Sequence, residues 1–305
     1  MNLTAVHPPV AATTRARGFR GWTARHPLTA FLVLAFAAIY PMTSLPILAS
    51  HGLIPGGALL DRLPMSPDEL AGLLLTMFGL LPATLYVTWA GEGREGLRRL
   101  LSRMMRWRVG IHWWLLVVAG LPVLTIGIAT LLGDPLTTVD PVRFTVTQLG
   151  LLAANFFLVN LWEETAWAGF LQTRLERRHN LFVAALVTAV PFGFAHWPLA
   201  FFGEVTVASA ALGLVPYLVL GVIFRPLLGV YLRGTRDSVL LVALLHSVFN
   251  RTNNDNGIAA GLLDGDARVL AMPIAVIVLA AVTAVVIRRR LTRAHRAELD
   301  RRTQR

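Results

Sequence analysis

Two adjacent carboxylates, Glu163 and Glu164, stand inside an apolar run that begins near Val146 and continues to Gln172. A carboxylate in the middle of a hydrocarbon core costs roughly 2.5–3.5 kcal/mol, so acids at that depth line a cavity, a proton path or a reaction site, or else pair with buried partners. Neighbours on a helix are turned about 100° apart, which gives the two acids different surroundings and different work. One can face a polar cavity while the other pairs, or stays protonated because desolvation raises its pKa.

Two further polar intrusions break apolar runs, Phe192-Gly193-Phe194-Ala195-His196 and His246-Ser247-Val248-Phe249-Asn250. In each, the first and last residues lie one helical turn apart on one face. A Glu, two His and an Asn supply a general base, a proton-exchanging partner and hydrogen-bond donors for an oxyanion. The sequence lacks His-Glu-x-x-His, Gly-x-Ser-x-Gly, Gly-x-Ser-Gly and Gly-x-Gly-Asp, which removes the settings of a zinc-protease helix, a serine nucleophile and an aspartyl intramembrane protease. A carboxylate-activated water is left. Glu163, His196 and His246 would suit zinc as donors, but their scatter over three helices matches no ligand spacing, and neither metal nor cofactor is expected.

The elements that must position these groups are membrane helices. The chain has 305 residues, is 55% hydrophobic, carries a net charge of +11 and has no Cys, which excludes disulfides and thiolate chemistry. Its basic charge is all Arg, clustered in short segments between apolar runs. That pattern fits membrane topology and speaks against a nucleic-acid partner, which would want one basic face. The fold class expected is all-α, a polytopic integral membrane protein of about eight transmembrane helices. The runs are Leu28 onward with Pro41 and Pro46 as kink points, then Leu70–Ala90, Trp113–Leu132, Val146–Gln172, Leu181–Phe202, Val207–Leu232, Val239–Asn250 and Leu270–Ile287.

Residues 1–27 read as a cytoplasmic amino-terminal segment, 28–290 as one transmembrane domain with its motif core at 146–250, and 291–305 as a basic cytoplasmic tail. The run from Leu28 is too long for a removed leader and is read as the first span. Segments at Arg94–Arg108, Arg174–Arg178, Arg233–Arg236 and Arg288–Arg305 alternate with segments that are poor in Arg or carry Asp61, Asp134, Glu204 and Asp264. Both termini should therefore be cytoplasmic, in a bacterial cell membrane. On that count Glu163 and His246 lie roughly 15 Å from the cytoplasmic surface and His196 roughly 23 Å at helical rise, so the three can converge. Within residues 97–107, Leu97, Leu100, Leu101, Met104 and Met105 share a face opposite the Arg residues. This predicts a helix lying in the membrane interface, as a lipid anchor or as a lid over the substrate.

The three polar segments resemble the motifs of the CAAX-protease and bacteriocin-processing (Abi) family of intramembrane glutamic endopeptidases, Glu-Glu-x-x-x-Arg, Phe-x-x-x-His and His-x-x-x-Asn. The resemblance covers about Val146 to Asn250 and implies a metal-independent endopeptidase acting on a protein or peptide held near the bilayer. By that resemblance Glu163 acts with His196 to activate water, His246 and Asn250 stabilise the oxyanion, and Glu164 supports them. Ala168 departs from the pattern, since the family has Arg there. A weakened or non-catalytic relative, such as a scaffold or immunity protein, is the alternative, and a proton-coupled transporter is the competitor from another class. Arg225, inside the sixth span, lies roughly 12 Å from the same surface. It either snorkels to the headgroups or takes the missing Arg's place beside Glu164.

Overall fold

Seven of the apolar runs become helices long and apolar enough to cross a membrane in the computed structural model, which describes residues 18–303, with side chains through Arg289. The first is Pro27–Ser50, the second Pro67–Met104, the third Ile111–Leu131, the fourth Pro141–Leu175, the fifth Leu181–Phe202, the sixth Val207–Gly234 and the eighth Ala267–Arg289. The seventh helix, Val239–Asn253, has 15 residues. That is roughly 22 Å at helical rise, short of a hydrocarbon core of about 30 Å. The chain is an all-α integral membrane protein, and its strand pairing among the described residues is one isolated bridge, Leu136 to Leu263.

In lipid the helices gain little from leaving their surroundings, so close packing and buried polar contacts must hold them together. Small residues permit the approach. A Cβ on Gly221 would sit 3.0 Å from the Ala189 carbonyl, which lets the sixth span lie against the fifth, and a Cβ on Gly229 would collide with the Gln172 amide of the fourth. The fourth span is shared by two buried clusters. Its Phe156, Leu161 and Ala168 pack with the third, sixth, seventh and eighth elements, while Ala166, Trp167, Phe170 and Leu171 pack with the first two spans and with Phe192.

Two π-helical turns, Phe156–Asn160 and Trp167–Gln172, bracket the short α-helical piece Leu161–Ala166 that carries both acids. Such turns insert a residue into the helical register and are concentrated at functional sites. Pro41 and Pro46 lie within a first span that runs unbroken to Ser50.

Within 97–107, helical to Met104, the apolar face is divided, with Leu100 and Met104 buried and Leu101 and Met105 exposed. The second span turns at Gly93, which has φ 63 inside the helical stretch, and the segment beyond it packs on the core through Leu100 and Met104. Arg103 fastens that segment to the end of the fourth span, donating to the Gly169 carbonyl at 2.8 Å and to Thr173 Oγ1 at 3.0 Å. The Arg side of the amphipathic pattern is thus partly spent on capping a neighbouring helix. The eighth helix continues to Thr303, through most of 291–305. Of the amino-terminal segment, Gly18–Arg25 is a short helix, and residues 1–17 lie outside the described part.

Candidate active site

Glu163 and Glu164 face different neighbours, as their angular offset requires. Glu164 is completely buried, and Arg225 of the sixth span, also completely buried, places Nη1 2.8 Å from both of its carboxylate oxygens. Arg225 Nη2 donates to Gln172 Oε1 at 3.1 Å, so one guanidinium ties the fourth span to the sixth at two points. The snorkelling alternative for Arg225 does not hold. The third partner of Glu164 is His246, whose Nδ1 lies 2.9 Å from Oε1. An ionised carboxylate only accepts, so His246 Nδ1 carries a proton and its Nε2 is the atom left for other work.

Glu163 is 3% exposed. Its Oε2 accepts from Asn160 Nδ2 at 3.2 Å, and His246 Nδ1 lies 3.9 Å from the same oxygen. Its Oε1 is buried, makes no hydrogen bond and lies 3.5 Å from His196 Nε2. His196 is oriented by its own helix, because Nδ1 bonds the Phe192 carbonyl one turn back at 2.8 Å. A carbonyl cannot donate, so that nitrogen holds a proton, and in the neutral ring Nε2 is the acceptor that faces Glu163. The Phe192 ring, 4.4 Å from the His196 ring between centroids, and Tyr217, stacked at 6.0 Å, keep the imidazole in place.

Asn250 sits beside the other site residues, but its amide Nδ2 reaches Asn155 Oδ1 and Asn160 Oδ1, both at 3.4 Å. Ser247 Oγ donates to Asn160 Oδ1 at 3.0 Å. Asn160, completely buried, therefore joins the first motif to the third. Sequence reading passed over it. Its signal was there: an amide three residues before Glu163, in an apolar run, at the spacing that shares a helix face.

Glu163, His196, His246 and Asn250 line one cavity of about 400 Å³, walled in part by Leu73, Leu151 and Leu158. Among the described residues no group of three His, Cys, Asp or Glu side chains is placed to hold one metal ion.

Removing the Asn160 amide should cost about 10–100-fold in kcat with little change in KM, the worth of roughly 1.5–3 kcal/mol for a hydrogen bond to a charged group. Kinetics of Asn160→Ala on a cleaved peptide check this. A proportional rise in KM at constant kcat would assign Asn160 to substrate binding instead.

Residues 145–252 match a family model described as type II CAAX prenyl endopeptidase, Rce1-like. The matched stretch runs from the fourth span through the seventh helix and contains all three motifs. No curated protein matches the chain.

Proposed function

With residues 145–252 forming a domain of the Rce1-like CAAX endopeptidase family, we propose that the chain is an intramembrane endopeptidase in which Glu163 and His196 together activate a water. The observation that carries this is the pair of facing acceptors, Glu163 Oε1 without a hydrogen bond of its own and His196 Nε2 3.5 Å away, on the wall of the cavity. A water donates one O–H to each. As its oxygen attacks a peptide carbonyl, one proton moves to the pair, and the tetrahedral oxyanion forms. Collapse of that intermediate breaks the C–N bond, and the proton held by the pair passes to the leaving amine.

Glu164 keeps its charge compensated by Arg225 and holds His246 through its Nδ1–H; as the doubly protonated imidazolium, His246 donates from Nε2, beside the Asn250 amide, to the developing oxyanion. The Asn250 bonds at 3.4 Å are long enough to be exchanged for a shorter one to a charged oxygen. Asn250→Ala should therefore slow cleavage by about 10²–10³. A loss of less than about threefold would leave the oxyanion to His246 alone.

Arg225 also answers the departure at Ala168, because the buried Glu164 has its cation from another helix. The substrate is a protein or peptide that enters the apolar-walled cavity. To test the reading, the purified protein in liposomes is incubated with a peptide library and the products are weighed. Two fragments whose masses sum to the substrate plus one water, formed equally with and without a chelator, are expected. Intact peptides throughout would favour a binding scaffold, and turnover lost to chelation and restored by zinc would overturn the glutamate mechanism.

A further inference from the structure

The cavity holding Glu163 and His196 is blocked in one direction. Past Glu163, Phe192, Phe224 and His246, the next layer is Glu164, Trp167, Gln172 and Arg225, each completely buried. In the other direction the lining runs out to Pro64, Asp68, Glu69 and Asn254, all exposed. These residues belong to the loop and first turn that open the second span and to the loop that follows the seventh helix.

Chain direction fixes what lies at each end. The second span leads from this mouth to the Arg94–Arg108 segment, the fourth ends at Arg174–Arg178, and the seventh helix starts just after Arg233–Arg236. At the Arg-rich end two other cavities open, one of about 470 Å³ lined by Arg25, Arg174, Arg177 and Arg178, the other of about 1000 Å³ lined by Arg108, Arg233 and Arg236. The loops at the mouth's end carry Asp61, Asp68, Glu69, Asp255 and Asp264. Arg-rich loops flanking membrane helices are retained in the cytoplasm. We propose that the catalytic cavity opens away from the cytoplasm, so that the peptide it takes is an exported or membrane-tethered segment presented at the outer surface and not a cytoplasmic carboxyl terminus. The substrate part rests on the endopeptidase reading; the orientation stands without it.

The chain has no Cys, so single-cysteine variants report position cleanly. Asp68→Cys and Asn254→Cys mark the mouth and Arg177→Cys the opposite end, each expressed in a bacterial host and treated as spheroplasts with a membrane-impermeant maleimide. The mouth cysteines should label from outside, and Arg177→Cys only after permeabilisation. External labelling of Arg177→Cys with protection of the mouth, or equal labelling of both ends, would overturn the proposal. Should a variant fail to accumulate, the unaltered chain answers the same question, since external trypsin should spare Arg177–Arg178 and Arg233–Arg236 in spheroplasts and cut there in inverted vesicles. Cutting from outside would contradict the orientation. Labelling needs no peptide cleavage, so a parent protein that cuts nothing would defeat the endopeptidase reading and leave this orientation in place, while reversed labelling would do the opposite.

Discussion

Arg225→Ala should be the most destabilising single change in the core of the bundle. It strips Glu164 of the nitrogen that lies 2.8 Å from both of its oxygens, frees Gln172 and leaves a fully buried carboxylate facing His246 alone. Breaking a buried pair by removing one partner costs roughly 3–5 kcal/mol, because the remaining charge is left uncompensated. Measured in detergent, the unfolding midpoint should fall by on the order of 10 °C. Arg225→Lys should recover only part of this, since one ammonium cannot reproduce the planar fork that serves Glu164 and Gln172 together. Adding Ala168→Arg to Arg225→Ala should recover more. Position 168 lies four residues after Glu164 with the acid on the amino-terminal side, and the deleted side chain leaves room nearby. A parental midpoint for Arg225→Ala, or no recovery in the double variant, would mean that the pair contributes little and that Glu164 is held as a neutral acid.

This pairing was legible in the sequence because charges are expensive in lipid. Glu163, Glu164 and Arg225 each interrupt an apolar run, and equal depth alone restricts who can meet whom. The convergence of His196 and His246 on the acids was legible for the same reason. Which acid takes which His was not. His246 both lines the cavity and bonds Glu164, and the acids that it and His196 meet sit between two π turns that shift the helical register.

Asn160 and Ser247 were missed because small polar side chains are common in membrane helices, where they often bond their own backbone. Ser247 does bond the Ala243 carbonyl as well. The amphipathic stretch 97–107 was read correctly as a helix with an apolar face, but that face cannot say whether lipid or protein will cover it. After the turn at Gly93, visible as a Gly-Glu-Gly sequence, protein covers Leu100 and Met104 and leaves Leu101 and Met105 exposed. The seventh apolar run was correctly placed, yet at 15 residues it is short for a hydrocarbon core, and its carboxyl end carries Asn250 and Asn254 into the wall of the cavity.

The second large effect follows from the facing acceptors. Glu163→Gln keeps the shape of the side chain and its bond from Asn160 in reach but puts an amide where a base should be. His196→Ala removes the other acceptor. Each should reduce kcat to near background while leaving the unfolding free energy within about 1 kcal/mol of the parent, since neither change strands a buried charge. That contrast separates them from Arg225→Ala, which should lose activity through lost structure.

The most direct test is a single-turnover cleavage assay on Glu163→Gln, with the parent alongside, the same peptide and a chelator present throughout. The parent should form both hydrolysis products and Glu163→Gln should form none above background, while binding the peptide with parental affinity. Cleavage by Glu163→Gln at the parental rate would show that Glu163 is not the base, and that the water is activated elsewhere.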